Sequence, residues 1–190
     1  MLTRQKIESL VLRLCSTDEV PFAIQSCERS PDSACWVVRA NDAQYVFHGR
    51  TEFCHVGVNA YLVDSSSGEI EVVGSNCSVE QYLVDKKDLL LAGQKKYVLY
   101  PAFDGYDPKW VIHLHRKIGC SLPDARRLAR NTEWWLTGKK RVLEVARDLF
   151  AREGISVNVT LAVNAGVAQV LSDGPLFWDD IKKALQATNS

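Results

Sequence analysis

The sequence predicts an α+β protein of two domains. An N-terminal helix with an antiparallel sheet occupies residues 1–91, and a β-α-α-β-α-β domain with a short C-terminal helix occupies residues 97–190. Residues 2–15 repeat apolar side chains at helical spacing, and the segments that follow them alternate as strands do. From residue 97 onward, patterns typical of strands alternate with patterns typical of helices. The polar segment 92–96 contains Gly93 and is typical of a domain boundary.

Charge and composition support this division. The chain has 190 residues, of which 46% are apolar and 24% charged, as in ordinary globular proteins. Residues 1–92 hold 8 Lys/Arg against 13 Asp/Glu, whereas residues 93–190 hold 15 against 10. The opposite signs indicate different surfaces for different partners. Neither half has the clustered basic residues of a typical nucleic-acid-binding domain, so we do not expect nucleic acid as the main partner.

The first domain is predicted to open with a helix at 2–15, capped by Thr3, whose inner face carries Ile7, Leu10, Val11 and Leu14. Strands are predicted at 22–27, 35–40 and 44–49, with a loop at 28–33. The next element is a hairpin around the turn 64–68, where Gly68 can supply the positive φ that such a turn needs. Ile70 and Val72 alternate with Glu69 and Glu71, which predicts a half-buried hairpin with an acidic outer face.

A short helix is predicted to follow the hairpin. Ser78, with Gln81 three residues later, matches a capping box that opens a helix to about Asp85. The run GVNAYLVDSSSGEIEVVGS at 57–75 and the following SVEQYL at 78–83, preceded by Trp36, resemble the YrhB-like family of bacterial immunity proteins (immunity protein 35). The resemblance implies a small α+β domain that inhibits a toxin by binding it and that catalyses no reaction.

The second domain is predicted to begin with a strand at 97–100. Asp107-Pro108 opens a helix that stops at Gly119, and Ser121 with Asp124 caps a second helix at 122–131. A short strand is predicted at 133–136, a helix at 139–153 and a strand at 155–163. The inner face of that third helix is expected to carry Val142, Val145, Ala146, Leu149 and Phe150.

The runs KWVIHLHRKIGCSLPDARRLA at 109–129 and LFAREGISVNV at 149–159 resemble the C-terminal domain of the ribosomal stalk protein, over about residues 97–163. This second resemblance implies a fold, and it raises a ribosome-associated role as an alternative function. The tail is predicted to add a strand at 167–171, a turn at 172–175 and a helix at 177–187, which could pack on either domain. The role of residues 164–190 stays open.

The sequence offers no set of residues for catalysis or metal binding. His113 and His115 are two positions apart on a predicted helix and therefore point to different faces. Cys54 and His55 are neighbours in extended chain, so they cannot act together as nucleophile and base. The six cysteines form no CxxC pair and are expected to be reduced, mostly buried thiols. We therefore expect no enzymatic activity, no metal and no cofactor.

The chain has no run of about 18 apolar residues and no signal-like N-terminus, so we expect a cytoplasmic protein with no membrane contact. The leading hypothesis is an immunity protein that neutralises a cognate toxin, because an acidic surface suits the basic clefts of many toxin nucleases. The alternatives are a chaperone-like binding protein and an RNA- or ribosome-associated protein, and the oligomeric state stays open. The candidate partner-binding residues are Asp64, Glu69, Glu71, Glu80, Asp85, Asp88, Trp110, Trp135, Arg126 and Arg130.

Overall fold

The computed structural model describes residues 1–130, 134–166 and 168–187. Three residues at which elements are predicted to start or end, Asn131, Glu133 and Val167, lie outside the described residues. The chain divides into two compact units, Met1–Val84 and Asp85–Ser190. This division falls inside a helix, Val79–Ala92, whereas the sequence places the boundary in the segment 92–96 that follows it.

The first unit begins with a helix and contains an antiparallel sheet, as the sequence predicts. Its elements are α1 (Arg4–Cys15), β1 (Phe22–Arg29), β2 (Cys35–Asp42), α2 (Ala43–His48), a 3-10 turn (Thr51–Phe53), β3 (Val58–Asp64), β4 (Ile70–Gly74) and the start of α3 (Val79–Ala92). The four strands pair in the order β1-β2-β3-β4, so β1 and β4 are the edge strands. Thr3 caps α1, and Ser78 and Gln81 form the predicted capping box of α3.

Both faces of this sheet are covered, which corrects the prediction of a half-buried hairpin. On one face, Ile7 and Val11 of α1 pack against a cluster that includes Trp36 and Tyr61. On the other face, Val79 in the first turn of α3 packs with Val37, Ala60, Leu62 and Val73. The face expected to be acidic and solvated therefore contains the fully buried Val73. The reason is that β2 and β3 carry consecutive apolar residues, as strands buried on both sides do.

The segment 44–49, predicted as a strand, is helix α2. Asp42 caps it, because its carboxylate accepts a hydrogen bond of 2.7 Å from the backbone N–H of Gln44. Gly49 ends it in a left-handed conformation with φ 66°, and its N–H donates to the carbonyl of Tyr45. Six residues are too few for periodicity to separate helix from strand, so these two end signals decide the structure.

The second unit has the predicted β-α-α-β-α-β order and a C-terminal helix. After the C-terminal part of α3, its elements are β5 (Lys96–Pro101), α4 (Pro108–Ile118), α5 (Leu122–Arg130), β6 (Leu136–Thr137), α6 (Lys140–Arg152), β7 (Val157–Ala162), β8 (Gln169–Val170) and α7 (Trp178–Ala187). The sheet order is β7-β5-β6-β8. Strand β5 is antiparallel to β6 and β7, and β6 is parallel to β8. No helix in the described residues is long and apolar enough to cross a membrane.

Most of the described buried side chains of the second unit form one large cluster. A separate small cluster consists of Val98, Ala162 and Ala165. Leu143 of α6 is fully buried in the large cluster, whereas Val145, predicted to face inward, is 43% exposed. The buried face of α6 is centred between Ala146 and Phe150, which leaves Val145 at its margin. Ile181 and Leu185 of the tail helix are fully buried in the same cluster, so α7 belongs to the core of this unit.

Candidate partner-binding surfaces

Four of the predicted site residues lie in the segment from the end of β3 to the first turn of α3, which includes the edge strand β4. We call Asp64, Glu69, Glu71 and Glu80 the acidic edge. Asp64 and Glu69 flank the turn, where the Asp64 carboxylate accepts hydrogen bonds of 2.8 and 2.7 Å from the backbone of Ser66 and Ser67. Glu71 is half-buried and accepts a hydrogen bond of 3.0 Å from the Tyr82 hydroxyl. The acidic edge is thus held in place by local hydrogen bonds, with Glu69 and Glu80 exposed at its two ends.

The charge of Glu80 is stabilised by its position in the first turn of α3. Hydrogen bonds from its own backbone N–H and from the side chain of Ser78, with the nearby positive charge of Arg39, hold the pKa of Glu80 below its usual value. The N-terminus of a helix favours a carboxylate for the same reason. Glu80 is therefore negatively charged at neutral pH and available to a partner.

Asp85 and Asp88, also predicted to bind a partner, are used inside the second unit. The Asp85 carboxylate is 8% exposed and accepts two hydrogen bonds of 3.2 Å from the Arg141 guanidinium. The Asp88 carboxylate, 15% exposed, pairs with the ammonium of Lys140 at 3.2 Å. These two aspartates attach the C-terminal half of α3 to the start of α6. Because their carboxylates are paired within the unit, only four of the six acidic residues predicted to bind a partner remain candidates.

Asp173 completes this network from the turn before α7. It pairs with Arg141 at 2.7 Å and with Lys139 at 2.5 Å, and Lys139 also pairs with Asp85 at 3.1 Å. The hydrogen bond from Lys139, followed by the one from Arg141, lowers the pKa of Asp173, although partial burial opposes the shift. Hydrogen bonds to Asp173 and Asp85 raise the pKa of Lys139, and hydrogen bonds to Asp85 and Asp173 raise the pKa of Arg141. The network is a structural element of the second unit.

An open depression of about 400 Å³ lies on the second unit, and we call it the aromatic depression. Its lining residues are Tyr100, Pro101, Phe103, Asp104, Gly105, Tyr106, Ala129 and Arg130. Phe103 stacks on Trp110, with ring centroids 4.3 Å apart. The guanidinium of Arg130 lies 5.5 Å from the centre of the Tyr106 ring, and Tyr106 is 77% exposed. Of the predicted site residues, Arg130 lines the depression, and Trp110 is linked to it only through its stacking on Phe103.

Close packing of the loop after β5 forms this depression. A Cβ on Gly105 would lie 1.9 Å from the carbonyl oxygen of Ala129, so the loop can touch the end of α5 only because residue 105 is glycine. The Asp104 carboxylate accepts a hydrogen bond of 2.9 Å from the backbone of Tyr106. Sequence reasoning missed Phe103 and Tyr106, although the density of aromatic residues between β5 and α4 was a visible signal.

The remaining predicted residues divide between surface and core. Arg126 is exposed on α5. Trp135 is 2% exposed, and its indole N–H donates to the carbonyl of Leu128 at 3.3 Å. Trp135 is therefore a core residue that a partner cannot reach in the folded protein, and we leave it out of the proposed interface.

The histidines and cysteines have structural surroundings. The Nε2 of His113 lies 2.8 Å from the carbonyl of Glu153, and the Nδ1 of His115 lies 2.6 Å from the carbonyl of Cys120. All six cysteines are free, and burial raises the pKa of the thiols of Cys15, Cys27 and Cys120. Across the described residues, no group of three or more His, Cys, Asp or Glu is placed to hold a metal ion.

Comparison with known proteins found no match: no family model, no curated protein and no solved structure is detectably similar to this chain.

Proposed function

We propose that this protein is an inhibitor of the immunity class, which binds a cognate toxin and neutralises it by covering its active or activating surface. The observation that carries the proposal is the acidic edge: its exposed carboxylates lie in the turn before the edge strand β4 and at the helix start after it, in a unit that has a negative net charge. The resemblance of residues 57–83 to immunity proteins supports the same class.

The proposed interaction is electrostatic at first contact. A row of carboxylates attracts a positively charged cleft, speeds association, and disfavours partners that are acidic themselves. The aromatic depression supplies residues of the types that most often dominate interface energies, because Tyr106 presents a large ring and Arg130 a planar cation. Neither feature needs a cofactor or a reacting group on this chain.

The test is a pull-down of the protein from its native cells, with the partner identified by mass spectrometry. The expected result is one stoichiometric partner that is toxic when expressed alone and harmless when co-expressed with this chain. Recovery of many unrelated proteins would contradict the proposal and favour a chaperone-like role.

Charge reversal in the acidic edge sharpens the test. The double variant Glu69→Lys, Glu80→Lys should slow association with the partner at least tenfold at low salt and abolish most of the salt dependence. A matched control is Asp18→Lys, Glu19→Lys, which reverses two exposed acids of the same unit outside the acidic edge. Equal effects of the two double variants would remove the acidic edge from the proposed interface.

A specific observation favours an RNA- or ribosome-associated role as the second candidate. Arg126 and Arg130 are exposed on α5, and Arg130 adjoins the exposed ring of Tyr106, a combination that suits phosphate contact and base stacking. This alternative predicts co-sedimentation with ribosomes or RNA that weakens steeply with salt, and loss of that binding in Arg126→Ala, Arg130→Ala. The toxin proposal predicts no such sedimentation.

A further inference from the structure

Strand β7 forms one edge of the second sheet, and one side of its backbone pairs with no other backbone group of the described residues. In the sheet order β7-β5-β6-β8, its partner is β5. An edge strand presents a row of N–H and C=O groups that can pair with another strand. The opposite edge strand, β8, has two residues, whereas β7 has six and is long enough to dock a further strand.

The pairing with β5 determines which backbone groups of β7 face outward. In an antiparallel pair, hydrogen-bonded positions alternate with positions that do not bond to the partner strand. The carbonyl of Ser156 accepts a hydrogen bond of 2.9 Å from the N–H of Ala102, so the bonded positions of β7 are the even-numbered ones. Pro101 lies opposite Val157 and has no N–H to donate, which agrees with this assignment.

The odd-numbered residues of β7 therefore direct their N–H and C=O groups to the free side. We call these outward groups, of Val157, Val159 and Leu161, the β7 edge. The side chains of the same three residues lie on the face of the sheet that packs on the large core cluster, which contains Val157 and contacts Val159. Asn158 and Thr160 place polar side chains on the other face.

Strand β7 lacks the features that keep most sheet edges from pairing, which are charged side chains, prolines and bulges. In the first unit, the edge strand β1 contains Glu28 and Arg29 and has a register shift after Ile24, and the edge strand β4 contains Glu71. The sequence of β7 is VNVTLA, with no charge and no proline, and its register with β5 is continuous. The β7 edge is therefore open to pairing.

We propose that the β7 edge pairs with the same edge of a second copy of this chain, so that two four-stranded sheets join into one sheet. A two-fold axis beside Val159 places this residue opposite its own copy and Val157 opposite Leu161. Every outward N–H and C=O group of the strand then has a partner. The proposal goes beyond the toxin-binding function, since it uses the sheet of the second unit and needs no toxin.

The side chains of β7 suit a second copy of the same strand. In this register, Val157 meets Leu161 on the core face, and Asn158 meets Thr160 on the other face, so apolar side chains meet apolar ones and polar meet polar. Like charges placed opposite each other destabilise strand pairs, and β7 has no charge to repel its copy. A different partner would have to supply the same alternation, which a second copy supplies by symmetry.

The experiment is analytical ultracentrifugation of the full chain over a range of concentrations, with a reducing agent that excludes disulfide-linked dimers. We expect a reversible dimer. Val159→Pro removes an outward N–H and leaves the hydrogen bonds to β5 in place. It should weaken dimerisation at least tenfold, because both hydrogen bonds at the two-fold axis are lost.

The matched control is Val170→Pro in β8, at the opposite edge of the same sheet. The N–H groups of Gln169 and Leu171 donate to β6 and to the residue before it, so the N–H of Val170 points away from β6. This variant also removes an outward N–H from an edge strand, and it should leave dimerisation unchanged. Equal weakening by the two proline variants would overturn the proposal.

Leu161→Lys keeps the test valid if proline disturbs β7. Its charge would lie opposite Val157 of the other copy, so it should also weaken dimerisation at least tenfold, while the circular dichroism spectrum stays that of the unsubstituted chain. A monomer at every concentration, or a dimer that both β7 variants leave intact, would overturn the proposal.

Amide hydrogen exchange followed by NMR tests the alternation directly. The N–H groups of the β7 edge should be protected at high concentration and lose protection on dilution, whereas those of the even-numbered residues should stay protected by β5. The same concentration dependence at odd and even positions, or none at either, would contradict pairing through the β7 edge.

Discussion

The two units bury their sheets in different ways. The first unit places a sheet between α1 and the start of α3, so its buried side chains form two small clusters, of seven and five described residues. The second unit gathers eighteen described buried residues in one cluster that includes residues of α4, α5, α6 and α7. A thick core excludes water from more side chains at once, and it leaves larger cavities when a side chain is removed. The second unit is therefore expected to be the more stable and the more sensitive to truncation.

The largest expected effect is at the centre of the thick core. Phe150→Ala should lower the free energy of unfolding by about 3–5 kcal/mol, because the fully buried ring contacts Trp135 and Trp178. Ile7→Ala in the first unit should cost about 2 kcal/mol, since the small cluster beside α1 can relax around the missing side chain. Urea unfolding followed by circular dichroism and tryptophan fluorescence measures both. A larger loss of unfolding free energy for Ile7→Ala than for Phe150→Ala would contradict the expected difference between the two units.

A substitution at the aromatic depression tests close packing in the second unit. Gly105→Ala should cost about 1–3 kcal/mol, because the new methyl group would overlap the carbonyl of Ala129 and push the loop away from α5. Gly174→Ala is the matched control, since no heavy atom lies within 4 Å of the position of its Cβ. Similar thermal midpoints for the two variants would contradict the close packing at residue 105.

The ion-pair network predicts a pH dependence of the stability of the second unit. The pKa of Asp173 is lowered in the folded state, so its contribution is complete above the unfolded pKa of about 3.9 and is lost as the pH falls through the folded value. Asp173→Asn should therefore cost about 1 kcal/mol at pH 7 and progressively less below about pH 4. Urea unfolding from pH 3 to pH 7 measures this, and a cost independent of pH would contradict it. Asp18→Asn is the control, because Asp18 is exposed in the first unit.

The smallest expected effect is at the start of α3. Ser78→Ala removes the hydroxyl that accepts a hydrogen bond of 3.1 Å from Gln81, and it should cost about 1 kcal/mol at most. Ser75→Ala, at an exposed position before the helix, should change the free energy of unfolding by less than about 0.5 kcal/mol. Equal values for the two serines would mean that the capping box contributes nothing measurable.

End signals and long periodic patterns made much of the fold predictable. Asp107, Gly119 and the Ser121–Asp124 pair predicted the ends of α4 and α5 because caps act on neighbouring residues. Helix α2 was missed because a strand was expected from a short apolar alternation and Asp42 was not considered as a cap. The double burial of the first sheet was missed because periodicity along a strand does not reveal which elements will later cover each face.

The candidate surfaces were predictable only in part. Trp110 and Arg130 were named as candidates, and each contacts a different aromatic residue of the loop that depends on Gly105: Trp110 stacks on Phe103, and Arg130 lies over Tyr106. Asp85 and Asp88 belong to the same acidic stretch as Glu80 in sequence, but they pair with basic residues more than fifty positions away. Such long-range pairing leaves no signal in the neighbouring sequence. The sequence therefore could not distinguish acidic residues that are exposed to a partner from acidic residues that form ion pairs within the protein.

The position of α7 in the core has a consequence for synthesis. The first unit has all its residues once Val84 has been made, whereas the second must wait for Ile181 and Leu185, about a hundred residues later. At roughly 5–20 residues per second, that delay lasts on the order of 5–20 seconds. During this interval the core cluster of the second unit lacks Ile181 and Leu185. The apolar side chains that these two residues cover therefore stay exposed to solvent, although the first unit has all the residues it needs to fold.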